Sequence, residues 1–227
     1  MPKSKAMIDD GFNPELVRGA RFDGIFEIPH IYTPNHIGRL NGFTPFSKRG
    51  FPPTSNEALC FFEMDIEFAD VLRQPELYIE EFASFSALVP TDNSLYRDAS
   101  LAVQIGNIYK SRAIGSYYQR NGSNVIPLVR WGDGRTYTEI LFPEKVAFAG
   151  IEKGSPVVVS TYGCIRGKEN RRHFKAGLEA MVAEIEPSRV FVYGSMPGDV
   201  FRSVLDRADF MQFPDWITRK KSGDSCG

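Results

Sequence analysis

Two aspartates, Asp92 and Asp133, are the side chains best placed by sequence to move a proton, accept a substrate hydroxyl or ligate a divalent metal. Each follows a short apolar run, Asp92 in Thr91-Asp92-Asn93-Ser94 and Asp133 in Arg130-Trp131-Gly132-Asp133, so carboxylates from two strand ends could approach one another. An aspartate in such a place also serves to cap the next helix, and Asp92 stands close to that position. Ser94, Arg130 and Trp131 share these two polar runs. Ser160 and Tyr162 end the run Ser155-Pro-Val-Val-Val-Ser-Thr-Tyr-Gly163, and Tyr193 ends the run that starts at Arg189. The basic stretch Arg166-Gly-Lys-Glu-Asn-Arg171-Arg172-His173 leads into a helix start, where backbone N–H groups and arginine together favour phosphate; a solvated surface loop is the plainer alternative.

Other chemistry is weakly signalled. Cys164 follows a strand-end glycine but has no histidine near it in sequence to activate it. His30 and His36, with five residues between them in a proline-containing segment, fit no strong metal-ligand pattern. Neither G-x-x-x-x-G-K-[ST] nor G-x-G-x-x-G occurs, which excludes nucleotide binding by those two loops. No cofactor is indicated beyond a divalent metal that the aspartates could hold.

The elements that must position these residues form a repeating pattern. Residues 86–134 read as strand, polar turn, a helix over 99–119 capped by Asp98, a strand over 124–129 and a second polar turn, which is one β-α-β unit. Two further units follow, with strands at 155–163 and 189–194 and helices at 170–185 and 199–207. In a parallel array every polar end falls on the same sheet edge, so Asp92, Ser94, Arg130, Trp131, Asp133, Ser160, Tyr162 and Tyr193 would gather at one mouth. The fold class is therefore α/β, a βα-repeat with a mainly parallel sheet: an incomplete or distorted β/α barrel, with an open doubly wound sheet as the alternative.

Upstream, 22–31 reads as a strand with Pro29 at its end or edge, and 32–54 carries too many prolines and glycines to be regular. Residues 59–68 alternate Phe62, Met64, Ile66 and Phe68 with Glu63, Asp65 and Glu67, which predicts a strand whose acids are either a carboxylate cluster or a wet face. On the long helix, Lys110, Arg112, Tyr117, Tyr118 and Arg120 either stack bases and pair phosphates or pack under the sheet. The organisation is an N-terminal arm over 1–20, one α/β domain over 21–216 and a flexible tail over 217–227.

A net charge of -1 argues against nonspecific coating of nucleic acid, but 56–81 is acidic and 166–175 basic. No apolar span approaches the roughly 20 residues of a membrane helix, so no membrane partner is expected. Cys60, Cys164 and Cys226 are odd in number and lack redox or metal spacing, which predicts a reducing, cytoplasmic setting.

Seven short motifs, Thr91-Asp92-Asn93-Ser94-Leu-Tyr-Arg-Asp, Leu101-Ala-Val-Gln-Ile105, Tyr109-Lys-Ser-Arg112, Ile114-Gly-Ser-Tyr-Tyr-Gln119, Val125-Ile-Pro127, Trp131-Gly-Asp133 and Val159-Ser-Thr-Tyr-Gly163, occur in order. Together, over residues 58–194, they resemble the bacterial and phage domain-of-unknown-function family DUF4417. The family commonly has proline where Thr91 stands and tryptophan where Tyr118 stands, so the resemblance is to a divergent member. It implies a phage, plasmid or other mobile-element context and supplies no established reaction or catalytic residues. Three functions follow as expectations: binding or processing of nucleic acid or a phosphorylated ligand at the strand ends, noncatalytic binding of a host protein through the acidic segment, or a barrel enzyme acting on a small metabolite.

Overall fold

The computed structural model describes residues 13–50 and 56–221. Two short antiparallel strands, β1 (Phe22–Asp23) and β2 (Ile28–Pro29), come first. They are followed by β3 (Gly42–Pro45), β4 (Glu57–Cys60), α1 (Ala69–Arg73), α2 (Ile79–Ala83), β5 (Ala87–Leu88), α3 (Leu101–Arg120), α4 (Gly134–Tyr137), β6 (Val157–Ser160), α5 (Gly167–Ile185), β7 (Arg189–Tyr193), α6 (Gly198–Phe201), β8 (Asp209–Phe213) and α7 (Trp216–Lys221). Strands β3, β4 and β5 pair in parallel, as do β6, β7 and β8. Residues 124–129 link the two groups through parallel bridges from Leu88 to Val125 and from Leu128 to Val158. Seven extended segments thus lie side by side in chain order.

Alternation along these segments decides the layers. One face places Phe43, Ala58, Val89, Leu128, Phe191 and Phe213 in a single buried cluster, the interior of a strongly curved sheet. The other face packs outward under helices. Leu59, Leu88 and Val125 meet Phe82 of α2 and Ile114 and Tyr118 of α3, while Val157, Val159, Val190 and Val192 meet Leu178, Met181, Val182 and Ile185 of α5. Among the described residues no backbone ladder joins β8 to β3. The rings of Phe43 and Phe213 meet edge to face across the gap, 5.1 Å between centroids, and α7 covers it from outside, with Arg219 paired to the buried Glu57. The fold is an incomplete, distorted β/α barrel. The open doubly wound alternative does not describe it, because the inner face is covered by the sheet's own opposite strands.

Several local expectations are corrected. Residues 22–31 form a hairpin, since Gly24 and Glu27 both take positive φ, at 71° and 50°, and turn the chain. The segment 32–54 contains a buried strand, β3, whose parallel register with β4 supplies the order that its composition does not; residues 51–55 lie outside the described ones. The alternation over 59–68 is not a strand past Cys60. β5 offers β4 partners only at Ala58 and Leu59, and the chain then leaves the sheet, turns through a 3-10 helix at Asp65–Phe68, and leaves Met64 and Ile66 exposed at 70% and 75%. The N-cap of α3 is Ser100 rather than Asp98. Of the segment expected to be an arm, the described part forms a 3-10 turn at Pro14–Val17, with Leu16 buried and its carbonyl bonded to Arg120 at 2.6 Å; residues 1–12 lie outside the described ones. Of the segment expected to be a tail, residues 217–221 belong to α7. No helix among the described residues is long and apolar enough to cross a membrane.

Two of the mixed basic and aromatic residues of α3 turn inward. Tyr118 is buried and donates to the Pro75 carbonyl at 3.0 Å. Arg112 is buried at the centre of the domain, where its guanidinium donates to the carbonyls of Leu128, Ala147 and Ala149 at 2.6, 3.0 and 3.1 Å. Burial pulls its pKa down to about 9, which leaves it charged at neutral pH. Replacing it with leucine strands three buried acceptors, each worth about 1–3 kcal/mol. We expect Arg112→Leu to lower the unfolding free energy in urea by at least about 3 kcal/mol, and a loss under about 1 kcal/mol would show that the bonds carry little of the fold.

Candidate functional site

The C-terminal ends of the parallel strands open into a two-lobed cleft. Its first lobe, about 490 Å³, lies over the ends of the 124–129 segment and β6 and includes Trp131, Cys164 and His173. Its second, about 800 Å³, lies over the ends of β3, β4 and β7 and includes Phe62, Asp65, Asp92, Tyr193 and Trp216. Ser94, Tyr96, Arg130 and Tyr162 line both. Of the residues expected at the mouth, Asp92, Ser94, Arg130, Trp131, Tyr162 and Tyr193 therefore do line one cleft, whereas Asp133, Ser160, Arg166, Arg171 and Arg172 line neither lobe.

Asp92 and Arg130 form the floor where the lobes join. Asp92 is 9% exposed, and its Oδ1 lies 2.9 Å from Arg130 Nε as an ion pair, without the alignment of a hydrogen bond. Loss of solvent pushes the Asp92 carboxyl up to about 6; Arg130 opposes the rise and Asp65 adds to it. Arg130 spends a second nitrogen, Nη1, on the Ser160 carbonyl at 3.3 Å and on Cys164 Sγ at 2.9 Å. Burial pulls its pKa down, but Asp92 and Cys164 outweigh that and hold it above its ordinary value. A carboxyl that burial raises toward neutrality beside a cleft is suited to give and take a proton.

Asp133 sits in a different setting. It is the N-cap of α4, accepting from the Arg135 backbone N–H at 2.8 Å, while Arg135 Nη2 and Gln104 Nε2 donate to its Oδ2 at 2.6 and 2.9 Å. The Arg135 bond, helped by Gln104, holds its pKa well below the usual carboxylate range. Both oxygens are engaged, so this carboxylate fixes the turn that carries Trp131. The Trp131 indole lies against Phe174 and over Gly177 of α5, where any Cβ would collide with it. The Ser160 hydroxyl accepts from the Tyr162 N–H at 3.2 Å and shapes the turn after β6. The Tyr193 ring stacks on Phe62, 4.6 Å between centroids, and its hydroxyl accepts from the Trp216 N–H at 3.0 Å, which docks the start of α7 at the rim. At the start of α5, Arg171 pairs with Asp199 at 3.1 Å, while Arg166 and Arg172 are exposed beside the first lobe.

Several site residues escape sequence reasoning. Asp65 accepts from the backbone N–H and the hydroxyl of Ser94 at 3.1 and 2.8 Å, which brings the acidic segment to the mouth. Tyr96 and Arg97 sit in the loop before α3, and Arg97 pairs with Glu169 of α5 at 2.9 Å. His173 bonds the Gly132 carbonyl and lines the same lobe as Cys164, although nine positions separate them in sequence. Asp215 and Trp216 arrive with α7. Among the described residues no group of three or more His, Cys, Asp or Glu side chains is placed to hold a metal ion.

Comparison with known proteins supplies the context. The chain is 28% identical over 197 residues to the Gene 1 protein of Mycobacterium phage D29, covering 86% of this chain and 69% of the relative. It is 29% identical to the Gene 1 protein of Mycobacterium phage L5, again over 86% of this chain and covering 82% of the relative. No solved structure matches it. The model of a domain of unknown function, DUF4417, matches residues 20–214, wider than the span that carried the resemblance. With that match across nearly all of the barrel, and with relatives encoded by phages, the chain belongs to the DUF4417 family and is a phage-type protein.

Proposed function

We propose that this protein binds, and processes by proton transfer, a phosphorylated ligand or nucleic acid in the two-lobed cleft during the life cycle of a phage or similar mobile element. The observation that carries the proposal is the Asp92–Arg130 pair on the cleft floor. Asp92 is the general acid or base, and Arg130 orients it and meets anionic charge on the ligand. Arg166 and Arg172, which line neither lobe but are exposed at the start of α5, supply cations beside helix N–H groups, a combination that favours phosphate. Asp133 is left a positioning role. The reading places the protein in the cytoplasm, where the thiols of Cys60 and Cys164 stay reduced.

A second reading has its own observation. Within the acidic segment, Met64, Ile66 and Leu77 are exposed, as are Glu67, Glu76 and Glu80, a mixture of apolar and acidic surface that suits a host protein with a basic, partly apolar surface. Capture of such a partner that fails with Ile66→Asp and Leu77→Asp, with no affinity for nucleic acid, would favour it over the first reading.

Two measurements test the first reading. Fluorescence anisotropy of labelled single-stranded DNA and RNA over a salt series should show binding that weakens with salt and drops about tenfold in Arg166→Ala/Arg172→Ala; absence of binding to these strands and to any phosphorylated small molecule at low salt would sink it. The Asp92 pKa gives the second. A carboxyl whose pKa rises on folding holds its proton more tightly in the native chain, so its ionisation costs stability, and the cost sets in as pH rises from about 4 to about 6 and then levels. The stability difference between Asp92→Asn and the parent should therefore shift in the variant's favour by about 3 kcal/mol across that window. A difference that does not change with pH would mean that Asp92 titrates normally.

A further inference from the structure

The two lobes differ in charge. The first is lined by Arg97, Arg130 and a single acid, Asp98, with Arg97 paired to Glu169 of α5 and Arg130 to Asp92, and the exposed Arg166 and Arg172 belong to the start of α5. In the second, Glu63, Asp65, Asp92 and Asp215 outnumber Lys48 and Arg130. The lobes also differ in surface: the second is lined by the half-buried Trp216. The exposed Tyr96 and Tyr162 line the junction.

The geometry points to a ligand with two unlike ends, a phosphate in the first lobe and a ring that carries hydrogen-bond donors in the second, which is the chemistry of a nucleoside monophosphate rather than of a strand running through the cleft. This deepens the phosphate reading above and rests on it. A phosphate is drawn to Arg97 and Arg130 and repelled by the carboxylates of the second lobe, so only one orientation is favoured. Amino and hydroxyl groups on a ring find acceptors in Asp65 and Asp92, and its faces find the exposed Tyr96 and Tyr162 and the half-buried Trp216. Both lobes fall in the range of about 300–1,000 Å³ usual for small-molecule sites. A polynucleotide crossing both lobes would instead set successive phosphates against Asp65 and Asp215.

Isothermal titration of the full chain with a nucleoside, its 5′-monophosphate, inorganic phosphate and single strands of increasing length tests this without any variant. We expect the monophosphate to bind best, the nucleoside and inorganic phosphate each more weakly, and longer strands to gain nothing over the monophosphate. Arg97→Ala should then weaken the monophosphate about tenfold and leave the nucleoside unchanged, whereas Trp216→Ala should weaken both and leave inorganic phosphate unchanged. Affinity that climbs with strand length would overturn the end-on inference while sustaining phosphate or nucleic-acid binding at the cleft. An Arg97→Ala protein that binds the monophosphate as well as the parent would overturn the placement of the phosphate. No heat with any phosphorylated probe would overturn both this inference and the reading beneath it.

Discussion

The buried guanidinium of Arg112 is the constraint on which the rest of the barrel depends. It sits on the long crossover helix and donates to one carbonyl in the 124–129 segment and two in the 147–149 turn. Those carbonyls belong to chain that crosses the core without a full ladder: the 124–129 segment touches its neighbours through single bridges at Val125 and Leu128. A buried carbonyl without a partner is costly, and here a side chain supplies the donors that a longer strand would have supplied from its backbone. The charge is tolerated because the carbonyl dipoles compensate it. The two halves of the sheet are thereby held at the spacing that lets Leu128 enter the interior and Arg130 reach the mouth.

At the mouth the same economy of partners produces a different outcome. Arg130 is charged and mostly buried, but its donors are divided among a carboxylate, a carbonyl and a thiol, and the carboxylate it meets is deprived of water. An ion pair in such a place gains less from attraction than it loses in solvation unless every lone pair is met, and Asp92 Oδ1 lacks an aligned donor. The pair is therefore a weak element of stability. Asp133 shows the contrast, since a cap position and two side-chain donors remove its freedom to exchange protons.

The C-terminal helix joins fold and site. α7 covers the gap that β8 and β3 leave open, and its Arg219 reaches the buried Glu57 past Gly42, where a side chain would occupy the guanidinium's place. Its first turn is fastened to the rim through Tyr193 and carries Trp216 into the second lobe. The same helix therefore covers the open edge, which would otherwise expose unpaired backbone, and lines the cleft.

Much of this was legible in the residues themselves. Apolar runs near 87–89, 124–129, 157–160 and 189–193, separated by helix-length amphipathic stretches, determine parallel βα units because local period and length settle strand and helix, and parallel strands place their polar ends on one edge. That much puts Asp92, Ser94, Arg130, Trp131, Tyr162 and Tyr193 around one mouth. It does not show that 59–68 leaves the sheet after Cys60, that a proline-rich stretch holds β3, or that Arg112 and Tyr118 turn inward, since each is decided by a distant partner: two-residue β5, the register of β4, the carbonyls of Pro75 and Leu128. Nor does it divide two aspartates of equal appearance into a cap and a titrating acid, or bring Asp65, His173 and Trp216 to the cleft. Sequence alone determined the repeating units and the edge where the polar strand ends collect, because those follow from interactions between neighbours in the chain; tertiary structure decided the lobes, their unlike charge and the burial that raises the Asp92 carboxyl, because solvent exclusion and pairing over long sequence distances exist only once the chain has folded back on itself.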